Sequence, residues 1–255
     1  MITAGLDIGF KTVKIVIVKE DHLIGQSLFP ATYTLQDSLK KAWEEILLKI
    51  ECPPDRITGI LATGVGKKEA FMAQERISEV SAAAKGAHFL EPGVRTVIDV
   101  GAEEGRVIQI NKEGKVVDFA INEKCAAGTG AFTEAMARAL EIPLEDLGSL
   151  SLRSTQDIRI NAQCVVFAES ELVSLIHAQT PKADIAKAVH EAIADRIISL
   201  VRRVGLEEKV MLIGGLAKNS GFSAALQKEL SADLIIPEDP EFISALGAAL
   251  LAGEL

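Results

Sequence analysis

Cysteine is scarce in this sequence. Its 255 residues include three, Cys52, Cys125 and Cys164. An odd, small number of cysteines in a chain of this length is not a disulfide framework, so we expect a reducing compartment in which thiols stay free for metals or chemistry. Cys52 stands beside a Pro-Pro pair and is interpreted as a loop residue without a role. The other two are the candidates for function.

The sequence also lacks an excess of basic residues and any long apolar run. Lysine and arginine number 27 against 36 aspartates and glutamates, a net charge of −9, which would repel nucleic-acid phosphates and anionic membrane surfaces. No uncharged apolar run reaches membrane-spanning length, and no basic stretch precedes an apolar one in residues 1–7. We therefore expect a cytoplasmic protein that binds neither nucleic acid nor membranes.

Two segments of the sequence match each other. The first contains Asp7, Gly9 and Lys14, and the second contains Asp99, Gly101 and Arg106. In each copy an apolar run ends in Asp-x-Gly, a basic residue stands seven positions after the aspartate, and an apolar run follows it. This pattern predicts a β-hairpin whose tight turn presents an acid and a glycine. Aspartates at strand ends also recur by chance, but the shared spacing favours a duplication.

Segments with strand and helix spacing alternate along the rest of the chain. Helices are expected over 38–51, 67–86, 183–204 and 242–252, and short strands over 57–62 and 210–213. The alternation predicts an α/β fold with two similar halves around a cleft. We place the first half at 1–94 and the second, which contains Cys125 and Cys164, at 95–255, with the C-terminal helix, 242–255, packing back on the first.

The hairpin turns suit a nucleotide phosphate site. Backbone N–H groups, the Thr12 hydroxyl and the cations of Lys11 and Lys14 would bind the β- and γ-phosphates. Asp7 and Asp99 would bind the waters of a hydrated Mg²⁺ ion, because magnesium gives up its water reluctantly. Taken singly, either Asp-x-Gly could equally be structural.

A diglycine strengthens the nucleotide interpretation. Gly214 and Gly215 follow the apolar run 210–213 and precede a helix start. Without side chains, they would let a flat adenine-ribose unit approach the backbone closely. The plain alternative is a tight strand-to-helix turn. The candidate nucleotide contacts outside the first hairpin are Gly101, Gly128, Gly130, Gly214, Gly215, Lys218 and Asn219, and within it Gly9, Lys11, Thr12 and Lys14.

Cys125 opens a glycine-containing loop ahead of a helix-like stretch. A soft metal ligand therefore stands beside the backbone N–H groups of Gly128 and Gly130, an arrangement that could hold a metal centre near a nucleotide. Cys164 lies downstream. Two thiolates fill half of the four cysteine positions of a [4Fe-4S] centre, and a twofold dimer would supply the rest. From spacing alone, two inert buried cysteines are the commoner outcome.

Together these motifs resemble the activator ATPases of 2-hydroxyacyl-CoA dehydratases, which are related to the ATPase subunits of benzoyl-CoA reductase and share the fold of actin, sugar kinases and Hsp70. The resemblance runs nearly end to end. It rests on residues 122–132, 164–171 and 214–221, with 63–67 as a weaker match. The resemblance implies two duplicated ribonuclease-H-like halves around a nucleotide cleft.

The resemblance also implies a function. Cys125 and Cys164 would bind one [4Fe-4S] cluster shared across a homodimer, and ATP binding and hydrolysis with Mg²⁺ would drive one electron at low potential to a partner. That partner would be an iron-sulfur dehydratase or reductase: a 2-hydroxyacyl-CoA dehydratase, an aromatic acyl-CoA reductase or a double-cubane cluster protein. A ferredoxin or flavodoxin would be the electron donor.

Three residues depart from the pattern of the family. Phe10 follows Gly9 where a serine hydroxyl is usual, so one phosphate-facing hydroxyl is gone and Lys11 would take over phosphate charge. Glu103 replaces a glutamine and adds negative charge near the γ-phosphate, yet it is still assigned to orienting the attacking water. Ala131 replaces an arginine. These changes bear on the hydrolysis rate and on the identity of the partner.

Two other function classes remain open at this point. A small-molecule kinase of the same fold would use a cleft aspartate as a base and would not depend on Cys125 or Cys164. A nucleotide-sensing module would bind ATP and a partner without redox chemistry.

Overall fold

The structure is a computed structural model that describes residues 1–32, 34–122, 129–160 and 164–255. The chain forms two compact units. The first unit comprises Met1–Val97, Ile110–Val117 and Glu241–Leu255, and the second comprises Ile98–Gln109 and Asp118–Pro240. Within the described ranges, no helix is long and apolar enough to cross a membrane.

Strands and helices alternate, as the spacing of apolar residues predicts. The strands are β1 (Ile2–Ile8), β2 (Thr12–Lys19), β3 (His22–Pro30), β4 (Gly59–Thr63), β5 (Glu75–Arg76), β6 (Thr96–Val100), β7 (Gly105–Ile110), β8 (Val116–Asn122), β9 (Val210–Ile213) and β10 (Leu234–Ile235). The helices are α1 (Leu35–Lys49), α2 (Glu79–Leu90), α3 (Gly130–Ala139), α4 (Leu144–Ser151), α5 (Val165–His177), α6 (Lys182–Val204), α7 (Ser220–Leu230) and α8 (Ile243–Ala252).

The two sheets repeat one strand order. The first runs β3-β2-β1-β4-β5, and the second, read in the matching direction, runs β8-β7-β6-β9-β10. In the first sheet β1 pairs antiparallel with β2 and parallel with β4. Each sheet is therefore built from a hairpin and a crossover strand that returns beside its first strand, which confirms the predicted α/β fold of duplicated halves.

One predicted helix is wrong over most of its length. Apolar spacing predicted a helix over 67–86, but α2 begins at Glu79, with Ser78 accepting a hydrogen bond from Ser81 N as its N-cap. The short strand β5 lies inside the predicted range and pairs in parallel with β4. Strand pairing across the sheet therefore overrides local helix periodicity in this segment.

The C-terminal helix α8 belongs to the first unit, and its backbone lies in direct contact with the backbones of β1 and α2. A Cβ on Gly5 of β1 would lie 1.9 Å from Ala245 O, and a Cβ on Gly247 would lie 1.8 Å from Ala82 O of α2. Side chains are therefore excluded where α8 meets both elements. Nearly every residue of α8 is buried, in keeping with its lack of a polar face.

A buried histidine lies among the helices of the second unit. His190 of α6 is 1% exposed, and its Nδ1 lies 2.6 Å from where a Cβ on Gly221 of α7 would stand. Neither ring nitrogen has a hydrogen-bond partner within the described parts of the chain. Burial lowers the pKa of His190 to about 4, so the folded protein holds a neutral imidazole.

This histidine predicts a loss of stability in mild acid. The pKa of His190 is lower in the folded protein than in the unfolded chain, so below pH 6.5 the unfolded chain binds a proton that the folded protein does not. The stability is therefore unaffected by this histidine above pH 6.5 and falls as the pH drops towards 4. Between pH 6.5 and pH 4 the free energy of unfolding should fall by about 3 kcal/mol through this residue. Urea unfolding of His190→Leu should show a flatter pH dependence, whereas the exposed-histidine control His177→Leu should match the wild type. Identical slopes in all three proteins would contradict the assignment.

Candidate functional site

The first acid stands at the end of β1, opposite a lysine. Asp7 and Lys14 face each other in the β1–β2 register, and Lys14 Nζ donates to Asp7 Oδ2 at 2.9 Å. Both side chains are 13% exposed, so the carboxylate is largely withdrawn from water but keeps a cationic partner. Gly9 N donates to Thr12 O at 3.0 Å and closes the turn between the strands. The predicted hairpin is confirmed.

The second acid repeats this geometry. Arg106 Nη1 donates to Asp99 Oδ2 at 2.9 Å, and Gly101 N donates to Glu104 O at 2.9 Å. The arginine also pairs with the Glu104 carboxylate. Glu104 occupies the place that Thr12 has in the first copy, so the second acid belongs to a three-residue charge network, whereas the first belongs to a simple ion pair.

Beside each acid, a glycine that follows the neighbouring strand packs closely against the carboxylate. Gly64 follows β4 with φ +90°, and a Cβ there would lie 2.4 Å from Ile8 O and 2.7 Å from Asp7 Oδ1. Gly214 follows β9 with φ +87°, and a Cβ there would lie 2.4 Å from Val100 O and 2.7 Å from Asp99 Oδ1. Positive φ and this close contact both require glycine. The duplication therefore extends to a third element.

Sequence reasoning missed this match between Gly64 and Gly214. The two glycines stand 57 and 115 residues after their aspartates, so no common offset reveals them. The available signal was a glycine directly after each apolar strand. Gly64 appeared only within a weak family match, and Gly214 only as part of the diglycine.

The diglycine element has the predicted form of a strand, a turn and a helix start. Gly215–Lys218 is a 3₁₀ helix, and nothing lies within 4 Å of a Cβ built on Gly215, so this face of the backbone is open. Asn219 Oδ1 accepts a hydrogen bond from Phe222 N at 3.1 Å and caps α7. This oxygen of Asn219 therefore has a structural partner already.

The structure groups the predicted phosphate residues by unit. The first unit brings together Asp7, Gly9, Thr12 and Lys14, with Lys11 exposed in the turn beside Phe10, whose ring is 56% exposed. The second unit brings together Asp99, Gly101 and Gly214, with Glu103 half-buried in the turn after Gly101. Lys218 and Asn219 end the diglycine element of the same unit.

The helix after the first cysteine segment is bonded to the second acid's turn. Gly130 N donates to Gly101 O at 3.0 Å, and Ala131 N donates to Ala102 O at 2.8 Å. Two backbone hydrogen bonds therefore join the start of α3 to the turn that follows Asp99. Because its N–H is used in this way, Gly130 would act on a nucleotide through the turn. Cys125 and Gly128 lie outside the described residues.

The second candidate cysteine is accessible. Cys164 is exposed, has no disulfide and immediately precedes α5. Cys52 is half-buried, and its Sγ lies 3.6 Å from Pro53 O. Among the residues that the structure describes, no three or more His, Cys, Asp or Glu side chains are grouped closely enough to hold a metal.

Comparison of nearly the whole chain with known protein families identifies the family to which it belongs. The BadF/BadG/BcrA/BcrD ATPase family matches residues 4–252. The chain belongs to this ATPase family. The resemblance drawn from the sequence motifs is thereby confirmed.

Relatives within the BadF/BadG/BcrA/BcrD ATPase family match over nearly their full length. The activator of lactoyl-CoA dehydratase from Anaerotignum propionicum is 39% identical over 100% of this chain and 98% of its own. The structure of component A of (R)-2-hydroxyglutaryl-CoA dehydratase from Acidaminococcus fermentans has a TM-score of 0.96 and 35% identity, covering 100% of this chain and 98% of that one.

Two further structures bear on the nucleotide and the fold. The activator of 2-hydroxyisocaproyl-CoA dehydratase from Clostridium difficile, with bound ADPNP, has a TM-score of 0.94 and 36% identity, covering 100% of this chain and 95% of that one. A ROK family glucokinase from Streptomyces griseus is 14% identical, with a TM-score of 0.63 and complete coverage of both chains. At that identity the glucokinase shows the shared fold alone.

The charge network of the second acid generates a stability prediction. Arg106→Ala would leave Asp99, which is 5% exposed, buried without its cation and should lower the free energy of unfolding by about 3–5 kcal/mol. Arg106→Lys places a lysine opposite Asp99, as Lys14 stands opposite Asp7 in the first copy, and should lower the free energy of unfolding by only about 1 kcal/mol. Urea unfolding measures both. Equal losses would show that the charge on residue 106 is not what stabilises Asp99.

Proposed function

We propose that the protein is an ATP-dependent activator that passes one electron at low potential to a partner iron-sulfur enzyme. Membership of an ATPase family, and relatives named as activators of lactoyl-CoA and 2-hydroxyisocaproyl-CoA dehydratases, support this proposal. The partner would be a 2-hydroxyacyl-CoA dehydratase, an aromatic acyl-CoA reductase or a double-cubane cluster protein. A ferredoxin or flavodoxin would supply the electron.

One observation carries the proposal. The hydrogen bonds from Gly130 N and Ala131 N to Gly101 O and Ala102 O tie the start of α3 to the turn after Asp99. The same helix follows the segment that contains Cys125. A change at the phosphate turn would therefore reach the proposed ligand segment through backbone contacts, as ATP-dependent electron transfer requires.

The nucleotide residues take separate roles in this proposal. Asp7 and Asp99 would each bind waters of hydrated Mg²⁺, which suits carboxylates that already accept a hydrogen bond from Lys14 or Arg106. Lys11 and Thr12 bind phosphate oxygens. Gly214 and Gly215 would accommodate the adenosine part, with a closely packed turn at Gly214 and open backbone at Gly215, flanked by Lys218 and Asn219.

Glu103 is the acid proposed to orient the attacking water. Its neighbour Glu104 is paired with Arg106, so Glu103 is the better candidate of the two. A carboxylate at this position also repels the γ-phosphate, which a glutamine would not. We therefore assign to Glu103 both the orientation of water and a weakening of ATP binding.

The donor chemistry of the chain fits an iron-sulfur cluster. Cysteine sulfurs are the ligands such clusters take, and the exposed Cys164 presents one at the start of α5. Cys125 would be the second ligand, and a second copy of the chain would contribute the other two. A bound [4Fe-4S] cluster supplies one-electron transfer. Beside Cys164, Val166 and Phe167 are 65% and 70% exposed, which favours a covered surface in a homodimer.

Iron content tests the proposed function. Protein purified without oxygen should be brown and contain about four irons per dimer. Cys164→Ser should lose the iron, whereas Cys52→Ser should keep it, because Cys52 is half-buried and contacts Pro53. Iron-free wild-type protein that remains an ATPase would contradict the redox role and favour the nucleotide-sensing module.

A pair of neighbouring acids tests the nucleotide assignment. Glu103→Gln should lower the KM for ATP about fivefold, because one negative charge near the γ-phosphate is worth about 1 kcal/mol. Glu104→Gln is the matched control and should leave this KM unchanged while lowering stability through its ion pair with Arg106. Steady-state ATPase kinetics measure the KM for ATP in both variants, and urea unfolding measures the stability of Glu104→Gln. An unchanged KM in Glu103→Gln would place this residue away from the γ-phosphate.

A further inference from the structure

A buried carboxylate fastens an irregular segment to the start of α6. Asp184 is 1% exposed, and its Oδ1 accepts hydrogen bonds from Ser154 Oγ at 2.7 Å, Thr155 N at 2.8 Å and Gln156 N at 3.1 Å. The Ser154 hydrogen bond, followed by the two backbone N–H donors, lowers the pKa of Asp184 despite its burial. The site is therefore an ionised carboxylate that binds consecutive residues of one loop.

The position of Asp184 favours its charge. It lies in the first turn of α6, where the helix dipole stabilises an anion. Its Oδ2 is buried without a hydrogen-bond partner among the described residues, so the carboxylate is desolvated on one side. The three loop donors on Oδ1 therefore supply the hydrogen bonds that offset this desolvation. The carboxylate and the loop therefore hold each other in place.

A second contact fastens the same segment more weakly. Lys187, one turn along α6, pairs with the Asp157 carboxylate. Asp157 is 85% exposed, and exposed ion pairs contribute little. Asp184 is therefore the principal anchor of residues 154–157. The next residues continue into the core, where Ile160 is 9% exposed.

The fastened segment leads to Cys164. Gln156 precedes this cysteine by eight residues, and residues 154–160 contain neither helix nor strand. Residues 157–160, Cys164 and the α6 residues Ala188 and Glu191 line one cavity of about 920 Å³. The anchored segment, the thiol and α6 are thus neighbours in space. Without its hydrogen bonds to Asp184, the segment has no regular structure to fix its path along α6.

We infer that Asp184 is a positioning residue for the Cys164 thiol. It holds residues 154–156 against α6, and residues 157–160 line the same cavity as Cys164 and α6, so this anchor bears on where the sulfur stands relative to that helix. The inference rests on the proposed role of Cys164 as a cluster ligand. A purely structural role would require only that Asp184 stabilise the second unit.

The test compares Asp184→Ala and Asp184→Asn with two controls. Ile197→Ala removes a fully buried side chain farther along α6 and lowers stability without touching the segment, and Asp157→Asn removes the exposed ion pair. In anaerobic protein, Asp184→Ala should release iron to a chelator about tenfold faster than wild type, with Asp184→Asn intermediate and both controls near wild type. Release from Ile197→Ala as fast as from Asp184→Ala would overturn the inference.

A second measurement does not require the cluster. In iron-free protein, amide hydrogen exchange at Thr155 and Gln156, which donate to Asp184, and at Ala168 of α5, which donates to Cys164 O, should be about tenfold faster in Asp184→Ala than in Ile197→Ala. Unchanged exchange at α5 would overturn the positioning role even if stability falls. If the wild type binds no iron, the proposed function fails, but this exchange result still decides whether Asp184 controls the surroundings of Cys164.

Discussion

Both halves of the protein depend on an acid at a strand end that is neutralised by a cation on the next strand. Asp7 with Lys14 and Asp99 with Arg106 each hold a carboxylate in a largely buried turn, at 2.9 Å in both cases. Without the cation, each turn would hold a buried and unpaired charge, which is costly. Each pair therefore lets a carboxylate stand in a turn that is largely withdrawn from water.

The two halves nevertheless use this pair differently. In the second half Glu104 joins the network through Arg106, and the carbonyls of Gly101 and Ala102 receive the first N–H groups of α3. The first half has the simpler hairpin, with the exposed Phe10 in its turn. The second copy is thus bonded to the segment that leads away from the proposed cluster ligand, whereas the turn of the first copy exposes Phe10 and Lys11. Duplication explains the strand order that the two halves share, and divergence explains the different contacts of their turns.

The sequence was informative where a residue's role is local. The spacing of Asp7 and Lys14 predicted a hairpin because directly opposed residues on a tight turn have fixed offsets, and the stripe of α6 predicted its helix almost to the residue. α5 was not predicted, because its apolar side chains lie on several faces and Val166 and Phe167 stay exposed. The contacts of Gly64 and Asp184 join residues far apart in the chain, which no periodicity records.

The placement of α8 has a consequence for biosynthesis. This helix meets Gly5 and Gly86 at distances that admit no side chain, so the first unit lacks part of its interior until residues 243–252 are made. The second unit draws only on residues up to Pro240. A chain emerging from the ribosome can therefore complete its second unit first. The unit that contains β1 is then the last to close, and a nascent chain exposes the apolar strands of this unit to chaperones and proteases until α8 is made.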